Sequence, residues 1–221
     1  MSAALRQWLR DAQFRPGLAG LFLNPFHLAR RSLWRAMQGA APALEGPLLD
    51  VGCGTMPYRP LFRVERYVGL EIDTPAGRAR AVAHAFYDGT RFPFADGEFR
   101  SVLCNQVLEH VFNPDVFLGE IRRVLAPDGR LLLTVPFVWD EHEQPYDYAR
   151  YSSFGLKALL ERNGFVVEQH HKLLDNFALV PQLVNAYLFK VLRTRWPVVN
   201  LVNPVLDQAT KLYFHDLLVE L

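Results

Sequence analysis

The chain has 221 residues, of which 50% are apolar and 21% are charged, so its composition is that of an ordinary globular protein. Its length predicts one domain with appendages, whose core needs neither disulfides nor a structural metal. Lys and Arg number 24 against 23 Asp and Glu, and a formal net charge of +1 argues against a dedicated nucleic-acid-binding protein.

The cysteine count and the first residues of the sequence indicate in which cellular compartment the protein is expected. Cys53 and Cys104 are too few for a disulfide framework, which favours a reducing compartment, the cytoplasm. The first residues lack the basic and apolar pattern of a secretory signal. No stretch of 18 or more residues is free of polar groups, so no membrane-spanning helix is expected.

Residues 1–44 predict a helical extension, in which a helix is followed by a break at 16–17 and a second helix. Asn24 before Pro25 is typical of a helix start. The second helix is predicted to stop near Gly39.

Residues 45–172 predict alternating strands and helices. Short apolar runs bounded by turn residues predict six strands, at 47–52, 67–72, 81–86, 101–105, 130–136 and 165–171. Residues 114–125 carry apolar side chains at helical spacing, and residues 152–162 open on a serine cap, so both are predicted helices. Near-continuous apolar strands separated by helices predict a parallel sheet with helices on both faces.

The C-terminal region predicts a helical insertion before a last strand. Helices are expected over 177–192 and 202–209, and a strand over 212–221. We therefore divide the chain into residues 1–44 and a domain over 45–221, with the insertion at about 174–209.

The aromatic residues of this insertion fit either of two roles. They could form the hydrophobic wall of a lid over a ligand pocket, and they are Phe177, Tyr187, Phe189 and Trp196. Because basic residues lie beside them, a peripheral contact with a membrane surface is the alternative. Those residues are Lys190, Arg193 and Arg195.

A glycine loop follows the first predicted strand. Gly52 and Gly54 allow a sharp turn and a close approach of the backbone to a ligand. Glu71 closes the second strand, where a carboxylate can accept hydrogen bonds from both hydroxyls of a ribose. In an open α/β sheet, ligands bind at this carboxyl edge. The pattern predicts a nucleoside site.

The nucleoside could belong to NAD, but the loop disfavours a dinucleotide. The third glycine of the dinucleotide fingerprint would fall at Pro57. Pro57 and Pro60 also shorten the following helix, which leaves a poor anion-binding N-terminus for a pyrophosphate. An NAD-dependent oxidoreductase stays open as the weaker alternative.

Four segments resemble the successive motifs of class I S-adenosylmethionine-dependent methyltransferases, in the small-molecule branch that includes quinone-biosynthesis enzymes. The segments are Asp50-Val-Gly-Cys-Gly-Thr55, Tyr67-Val-Gly-Leu-Glu-Ile-Asp73, Asp88-Gly-Thr-Arg-Phe-Pro-Phe94 and Val107-Leu-Glu-His-Val111. The resemblance covers about residues 45–170. It implies a Rossmann-like sheet of seven strands, mostly parallel, with an antiparallel last strand.

The resemblance implies S-adenosylmethionine as cofactor and assigns its binding residues by position. The methionine end would be shaped by Asp50, Gly52, Cys53 and Gly54, and by Asn105 and Gln106 under the reacting sulfonium. Glu71 would bind the ribose, Ile72 would flank the adenine, and Asp88 and Gly89 would lie at the adenine edge. Two departures are the Arg100 that follows Phe99 and the short, proline-containing first helix. The thiols of Cys53 and Cys104 are expected to serve packing.

The segment 137–151 follows the fifth strand, on the side where acceptors bind in the family. It holds four acids, one histidine, one arginine and five aromatics. His142 is the natural general base. Further catalytic candidates are Glu141, His110 and Tyr148, and the substrate-binding candidates are Trp139, Asp147, Arg150 and Tyr151. The alternative is a polar loop whose charges satisfy one another. No metal is implied by the spacing of Glu141, His142 and Glu143.

The predicted activity is methyl transfer from S-adenosylmethionine to a small or amphiphilic acceptor, such as a glycan or a lipid-linked intermediate. The sulfonium methyl is already activated, so the protein mainly supplies alignment and excludes water. A hydroxyl acceptor needs a base, whereas a carbanion or thiolate does not. The alternative from another class is a non-catalytic member that binds a nucleoside or a partner protein. A nucleic-acid partner is not expected.

Overall fold

A computed structural model describes residues 14, 17, 20, 24–80, 82–174 and 177–192. The chain divides into two compact units. One unit spans 40–170, and in the other the residues up to Gly39 group with residues from His171 onward. The predicted domain boundary at 44/45 stays a prediction.

A parallel sheet forms the centre of the unit that spans 40–170. Its strands are β1 (Leu48–Val51), β2 (Tyr67–Ile72), β3 (Ala85–Tyr87), β4 (Phe99–Asn105) and β5 (Leu125–Thr134). They lie in the order β3-β2-β1-β4-β5, and each neighbouring pair is parallel. The chain order reverses between β1 and β4, which makes the carboxyl ends of these two strands the topological switch point.

The central strand explains why the sheet is stable. All four residues of β1 are buried, and Leu49 and Val51 join the main apolar cluster together with Val102 and Cys104 of β4. A strand buried on both faces must be apolar nearly throughout, which is the pattern that the sequence shows. The one acidic residue of β1, Asp50, is therefore an exception that the functional site has to explain.

Five helices accompany the sheet in the described residues. They are α1 (His27–Ala40), α2 (Pro75–Arg80), α3 (Pro114–Val124), α4 (Ser153–Arg162) and α5 (Leu179–Leu192), and 3-10 turns lie at Ala41–Ala43, Arg59–Leu61 and Leu108–His110. Helix α3 buries Phe117, Leu118, Ile121 and Val124. The Ser152 hydroxyl caps α4 by accepting a 3.2 Å hydrogen bond from the Gly155 amide.

The predicted sixth strand over 165–171 is wrong, because these residues are irregular in the structure. Phe165 and Val167 pack against the main core while Val166 is 77% exposed, so the alternation is present. However, the amide of Phe165 donates to the Leu160 carbonyl at the end of α4, not to a neighbouring strand. The alternation of apolar side chains here therefore indicates that one side of the segment packs against the core, and it does not indicate a strand.

Two strands, β5 and β3, differ from prediction by four or more residues at their start. β5 begins at Leu125, directly after α3, because the predicted turn at 127–129 is an irregularity within the strand, with Asp128 at a φ of +59°. The pairing register with β4 shifts there. β3 begins at Ala85, later than predicted. The predicted helix over 202–209 and last strand over 212–221 lie outside the described residues.

The second unit joins α1 to α5 through buried amides. Asn24 Oδ1 accepts from the Phe26 amide at 2.9 Å, as its predicted capping role requires, although α1 begins at His27 and continues past Gly39. The Gln182 side chain donates to the Pro25 carbonyl at 2.7 Å and accepts from the Leu28 amide at 3.1 Å. Among the described helices, none is both long and apolar enough to cross a membrane.

Candidate cofactor and acceptor site

The loop after β1 turns sharply across the end of β2. Gly52 has a φ of +67° and Gly54 a φ of +48°. A Cβ atom on Gly52 would lie 2.4 Å from Cγ2 of Val107, so this position has no room for a side chain. The amides of Gly52 and Cys53 both donate to the Leu70 carbonyl, at 2.8 and 3.1 Å. The loop is thus held against β2.

The Glu71 carboxylate lies at the mouth of this loop. Its Oε2 accepts a 2.9 Å hydrogen bond from the Gly54 amide, and its Oε1 accepts one of 3.0 Å from the Ile72 amide. A carboxylate has about four lone-pair positions, so both oxygens can accept further hydrogen bonds. The predicted ribose-binding residue is held in place by the loop that it faces.

Asp50 lies inside the sheet and is only 5% exposed. Its Oδ2 accepts a 2.6 Å hydrogen bond from the Tyr67 hydroxyl of β2. Burial is the main cause that raises the pKa of Asp50 to about 7; the Tyr67 hydrogen bond opposes the rise, and the charge of Glu71 contributes to it. Cys53 is also buried, and burial raises the pKa of its thiol to about 12, so the thiol stays neutral.

The turn after β3 contains the two adenine-edge candidates, Asp88 and Gly89. Asp88 Oδ1 accepts hydrogen bonds from the Thr90 hydroxyl at 2.6 Å and from the Thr90 amide at 2.9 Å, which lower the Asp88 pKa to about 2. Gly89 has a φ of +90°, and a Cβ there would lie 3.8 Å from Cδ1 of Ile72. The exposed Ile72 side chain and the Gly89 backbone are therefore neighbours, which is the apolar surface expected beside an adenine.

The ends of β4 and β5 are tied by a chain of side-chain hydrogen bonds. The Thr134 hydroxyl donates to Asn105 Oδ1 at 2.7 Å and accepts from Gln106 Nε2 at 3.2 Å. Gln106 has a φ of +57°, and its amide donates to the Thr134 carbonyl at 2.9 Å. Asn105 and Gln106 therefore end β4 in one fixed arrangement at the switch point.

The acceptor-side loop is organised by Arg150. Its guanidinium donates to both carboxylate oxygens of Asp147, at 2.6 and 2.7 Å, and to the carbonyls of Trp139 and Asp140. The Arg150 hydrogen bonds hold the pKa of Asp147 well below its usual range. These contacts agree with the alternative in which loop charges satisfy one another, and substrate roles for Trp139, Asp147, Arg150 and Tyr151 stay predictions.

The catalytic candidates do not all lie together. The rings of His110 and His142 meet edge to face with centroids 4.8 Å apart. Tyr148 packs edge to face on Phe112 at 5.3 Å, and the Tyr148 amide donates to the Glu109 carbonyl at 2.8 Å. Glu141 is exposed and lies outside the histidine pair.

Glu109 was not among the site residues predicted from the sequence. It is fully buried, and neither of its carboxylate oxygens has a hydrogen-bond partner. Burial raises its pKa to about 7. One carboxylate oxygen of Glu109, one ring nitrogen of His110 and one of His142 lie within 4.8 Å of one another. Its position next to the candidate His110 could have identified Glu109 in the sequence. Its burial could not be predicted, because it depends on the 137–151 loop, which is distant in sequence.

Comparison with known proteins agrees with this geometry. A family profile described as a methyltransferase domain matches residues 49–133, which contain β2 to β4 and most of β1 and β5. Residues 49–133 form a methyltransferase domain. The predicted family is confirmed for this part of the chain. The methyltransferase domain therefore carries the glycine loop, Glu71 and the Glu109–His110 pair.

Relatives of the methyltransferase domain share its sequence over part of their length. An uncharacterized methyltransferase of Mycolicibacterium gilvum is 34% identical over 48% of this chain and 45% of its own length. The ubiquinone/menaquinone biosynthesis C-methyltransferase UbiE of Paraburkholderia phytofirmans is 37% identical over 42% of this chain and 38% of its own. The match thus spans less than half of the length of these relatives.

A solved structure supports the fold. The S-adenosylmethionine-dependent methyltransferase of Mesorhizobium loti superposes with a TM-score of 0.53 and 15% identity, over 71% of this chain and 92% of that one. The Rossmann-like class is thereby confirmed, with five parallel strands described. The predicted total of seven strands, the last antiparallel, goes beyond the described residues and stays a prediction.

Proposed function

We propose that this chain binds S-adenosylmethionine at the carboxyl edge of its sheet and transfers the methyl group to a small or amphiphilic acceptor. The observation that carries the proposal is the hydrogen bond between the Gly54 amide and Glu71, which joins a glycine loop to an acidic strand end at the topological switch point. That combination suits a ribose better than it suits any anionic group.

The residues at this edge fit the cofactor. The loop at Gly52 comes so close to Val107 that only backbone can line it, as a closely held ligand requires. Glu71 has acceptor positions for the ribose hydroxyls, and Ile72 with Gly89 offers an apolar surface for the adenine. Asn105 and Gln106 are our candidates for the methionine end.

The short turn after the loop argues against NAD. The loop is followed by a 3-10 turn at Arg59–Leu61 instead of an α-helix. A pyrophosphate normally binds at a helix N-terminus, where free amides and the helix dipole favour negative charge. With no such helix between β1 and β2, a nucleoside without phosphates is the better ligand.

The chain's own contribution to the reaction is alignment. Bound S-adenosylmethionine supplies a methyl group that is already activated for a one-step displacement. Asn105, fixed by Thr134, and the glycine loop would hold the donor side rigid, and the 137–151 loop would orient the acceptor and exclude water. If the acceptor is a hydroxyl, His142, His110, Tyr148 and Glu141 are the candidates for handling its proton.

The acceptor class rests on the surface beside the histidines. Phe112, Tyr146 and Tyr148 are all exposed there, and exposed aromatic rings suit the apolar faces of sugars or the chain of an amphiphile. We therefore propose, more specifically, that the acceptor is a glycan or a lipid-linked intermediate.

A peripheral membrane contact is a separate part of the proposal. Helix α5 exposes large apolar side chains along one face, at Val180, Val184, Tyr187, Leu188 and Val191. Its opposite side buries the amides of Gln182 and Asn185. Such a face could rest on a lipid surface. Loss of co-sedimentation with anionic liposomes in Val184→Asp, compared with wild type at low salt, would support it, and no co-sedimentation of wild type would end it.

The direct test is turnover. The purified chain is incubated with S-adenosylmethionine carrying a labelled methyl group and with glycan or lipid extracts, and S-adenosylhomocysteine and labelled product are measured together. We expect both with wild type and with the matched control Glu168→Ala, and neither with Glu71→Ala. Cofactor binding without any transfer would favour the non-catalytic alternative.

A further inference from the structure

A buried carboxylate without a partner lies beside two histidines in the methyltransferase domain. Glu109 has no solvent exposure, and both of its oxygens lack a hydrogen bond. Nε2 of His110 lies 3.8 Å from Oε1 of Glu109, which is beyond hydrogen-bond distance. Leaving a buried carboxylate unsatisfied is costly, so this arrangement calls for an additional group.

The ring of His110 is oriented with a lone pair toward Glu109. Its Nδ1 lies 2.6 Å from the Tyr146 carbonyl oxygen, which can only accept, so Nδ1 carries the hydrogen. In the neutral imidazole Nε2 then has a free lone pair. Nε2 is the nitrogen that faces Glu109.

The ring of His142 also directs its Nδ1 toward acceptor atoms. Its Nδ1 lies 3.2 Å from the Asp140 carbonyl oxygen and 3.2 Å from Oδ2 of Asp147. A longer contact of 3.5 Å joins Nδ1 to the Arg150 guanidinium, but the two nearer atoms are acceptors, so Nδ1 again carries the hydrogen. Arg150 holds the Asp147 carboxylate in place by donating to both of its oxygens. Nε2 of His142 is left as a lone-pair donor.

We propose that Glu109, His110 and His142 bind a divalent transition-metal ion through the carboxylate and the two Nε2 atoms. Metal-binding histidines characteristically donate their second N–H to a carboxylate or a backbone carbonyl, and both rings do so here. One carboxylate oxygen of Glu109 and one ring nitrogen of each histidine already lie within 4.8 Å of one another. Bonds of about 2.0–2.2 Å to one ion need ligands closer than this, which small side-chain rotations supply.

The ligand types define the class of ion. Two imidazoles and one carboxylate suit Zn²⁺, Co²⁺ or Fe²⁺, whereas Mg²⁺ and Ca²⁺ prefer oxygen ligands throughout. Three protein ligands leave at least one coordination position open. Because both histidines are half-buried and not enclosed, that position is reachable from the acceptor-side surface.

A catalytic role for the metal ion rests on the proposed function. An acceptor hydroxyl bound at the open coordination position would lose its proton to solvent at lower pH than a free hydroxyl does. Its oxygen then forms the new bond to the methyl carbon, while the carbon–sulfur bond breaks with its electron pair going to sulfur. His142 would act as a ligand in this scheme, not as the base.

Metal binding is measured on the full chain after chelator treatment and dialysis, by titration calorimetry with ZnCl₂ and by the visible absorption of the Co²⁺ form. We expect one Zn²⁺ per chain, no comparable binding of Mg²⁺, and loss of the Co²⁺ bands in Glu109→Gln and His142→Gln. The matched controls Glu168→Gln and His170→Gln, both exposed, should bind like wild type. Asp147→Asn should weaken affinity by roughly 10- to 100-fold, as loss of an orienting partner does.

Two further measurements distinguish loss of the metal site from misfolding of a variant. Without metal, Glu109→Gln should melt at or above the wild-type temperature, because a neutral amide replaces an unpaired buried carboxylate, whereas Zn²⁺ should stabilise wild type but not this variant. Acetohydroxamate, which binds through oxygen, should alter the Co²⁺ bands if a position is open. The proposal is overturned if wild type binds no Zn²⁺, or if folded Glu109→Gln and His142→Gln bind it like wild type. S-adenosylmethionine binding to the same samples is scored separately, so failure of the proposed function cannot be mistaken for failure of the metal site.

Discussion

The Gly54 amide donates a 2.9 Å hydrogen bond to Oε2 of Glu71, and this bond joins the loop after β1 to the carboxyl end of β2. The ribose-binding candidate is therefore already fixed before any ligand arrives, which lowers the entropy lost on binding. The same bond makes the loop and the carboxylate one unit, so changes to either should alter cofactor affinity.

The close approach of Gly52 to Val107 predicts a graded set of glycine variants. Gly52→Ala should lower the free energy of unfolding by about 2–4 kcal/mol, because a side chain there is strained at positive φ and collides with Val107. Gly54→Ala, which has open space around its Cβ, should show only the backbone strain of about 1–2 kcal/mol. Urea unfolding measures both. Equal losses would contradict the collision, and Val107→Ala combined with Gly52→Ala should recover part of the loss.

The buried Asp50 predicts a pH dependence. In the unfolded chain Asp50 releases its proton near pH 4, whereas the folded chain holds it to about pH 7. Between these values the folded state binds more protons, so this residue's contribution to stability falls as the pH rises and is level above about pH 7. Asp50→Asn should remove the loss.

The measurement is the difference in free energy of unfolding between Asp50→Asn and wild type from pH 4 to pH 8. It should shift in favour of the variant by about 2–4 kcal/mol across pH 4–7 and then stay constant. Asp128→Asn, at an exposed position, serves as the control for the substitution itself. A pH-independent difference for Asp50→Asn would show that the folded chain holds this carboxylate ionised.

Arg123 connects α3 to the segment that carries the adenine-edge candidates. Its guanidinium donates to the carbonyls of Phe92 and Phe94, at 3.0 and 2.8 Å, and to the carboxylates of Glu120 and Asp96. Lysine keeps the charge but cannot reach this many acceptors. Arg123→Lys should lower the free energy of unfolding by about 1–3 kcal/mol, measured in urea.

The neighbouring arginine provides the control for that prediction. Arg122 makes one long contact of 3.5 Å to the Asn163 carbonyl, so Arg122→Lys should stay within about 0.5 kcal/mol of wild type. Similar losses in the two variants would mean that the hydrogen bonds of Arg123 contribute nothing beyond its charge.

Thr134 orders the end of β4 without being a cofactor-binding candidate itself. Thr134→Val removes the hydroxyl that joins Asn105 to Gln106 while keeping the side-chain shape. We expect S-adenosylmethionine affinity to fall by about 3- to 10-fold, corresponding to roughly one hydrogen bond. Thr134→Ser retains the hydroxyl and should bind like wild type in calorimetry. A Val variant with unchanged affinity would remove Asn105 and Gln106 from the proposed site.

Much of the fold follows from short-range patterns in the sequence. The bounds of β2 match prediction, and those of β1, β4, α3 and α4 come close, because apolar periodicity and turn residues such as those at 163–164 are local signals. The strand predicted over 165–171 fails because alternation shows which side chains are buried, not whether a neighbouring strand pairs with them. The early start of β5 depends on a register shift against β4, which is also non-local.

The candidate site divides in the same way. The glycine loop and Glu71 lie on consecutive strands of a parallel sheet, so their proximity could be predicted from chain order. The grouping of Glu109, His110 and His142 could not, because it depends on how the 137–151 loop folds back onto the 3-10 turn after β4. The hydrogen bond from the Tyr148 amide to the Glu109 carbonyl fixes that return.

The central claim is that this edge of the sheet binds S-adenosylmethionine through Glu71. It is tested most directly by thermal unfolding of wild type, Glu71→Ala and the control Glu168→Ala with S-adenosylmethionine, S-adenosylhomocysteine and NAD. At about 100 times its dissociation constant a ligand adds roughly 2.7 kcal/mol, or about 5–10 °C for a chain of this size. We predict that shift with the first two ligands for wild type and the control, and little or none for Glu71→Ala or with NAD. No shift of wild type with either sulfur nucleoside, or an undiminished shift in Glu71→Ala, would contradict the claim.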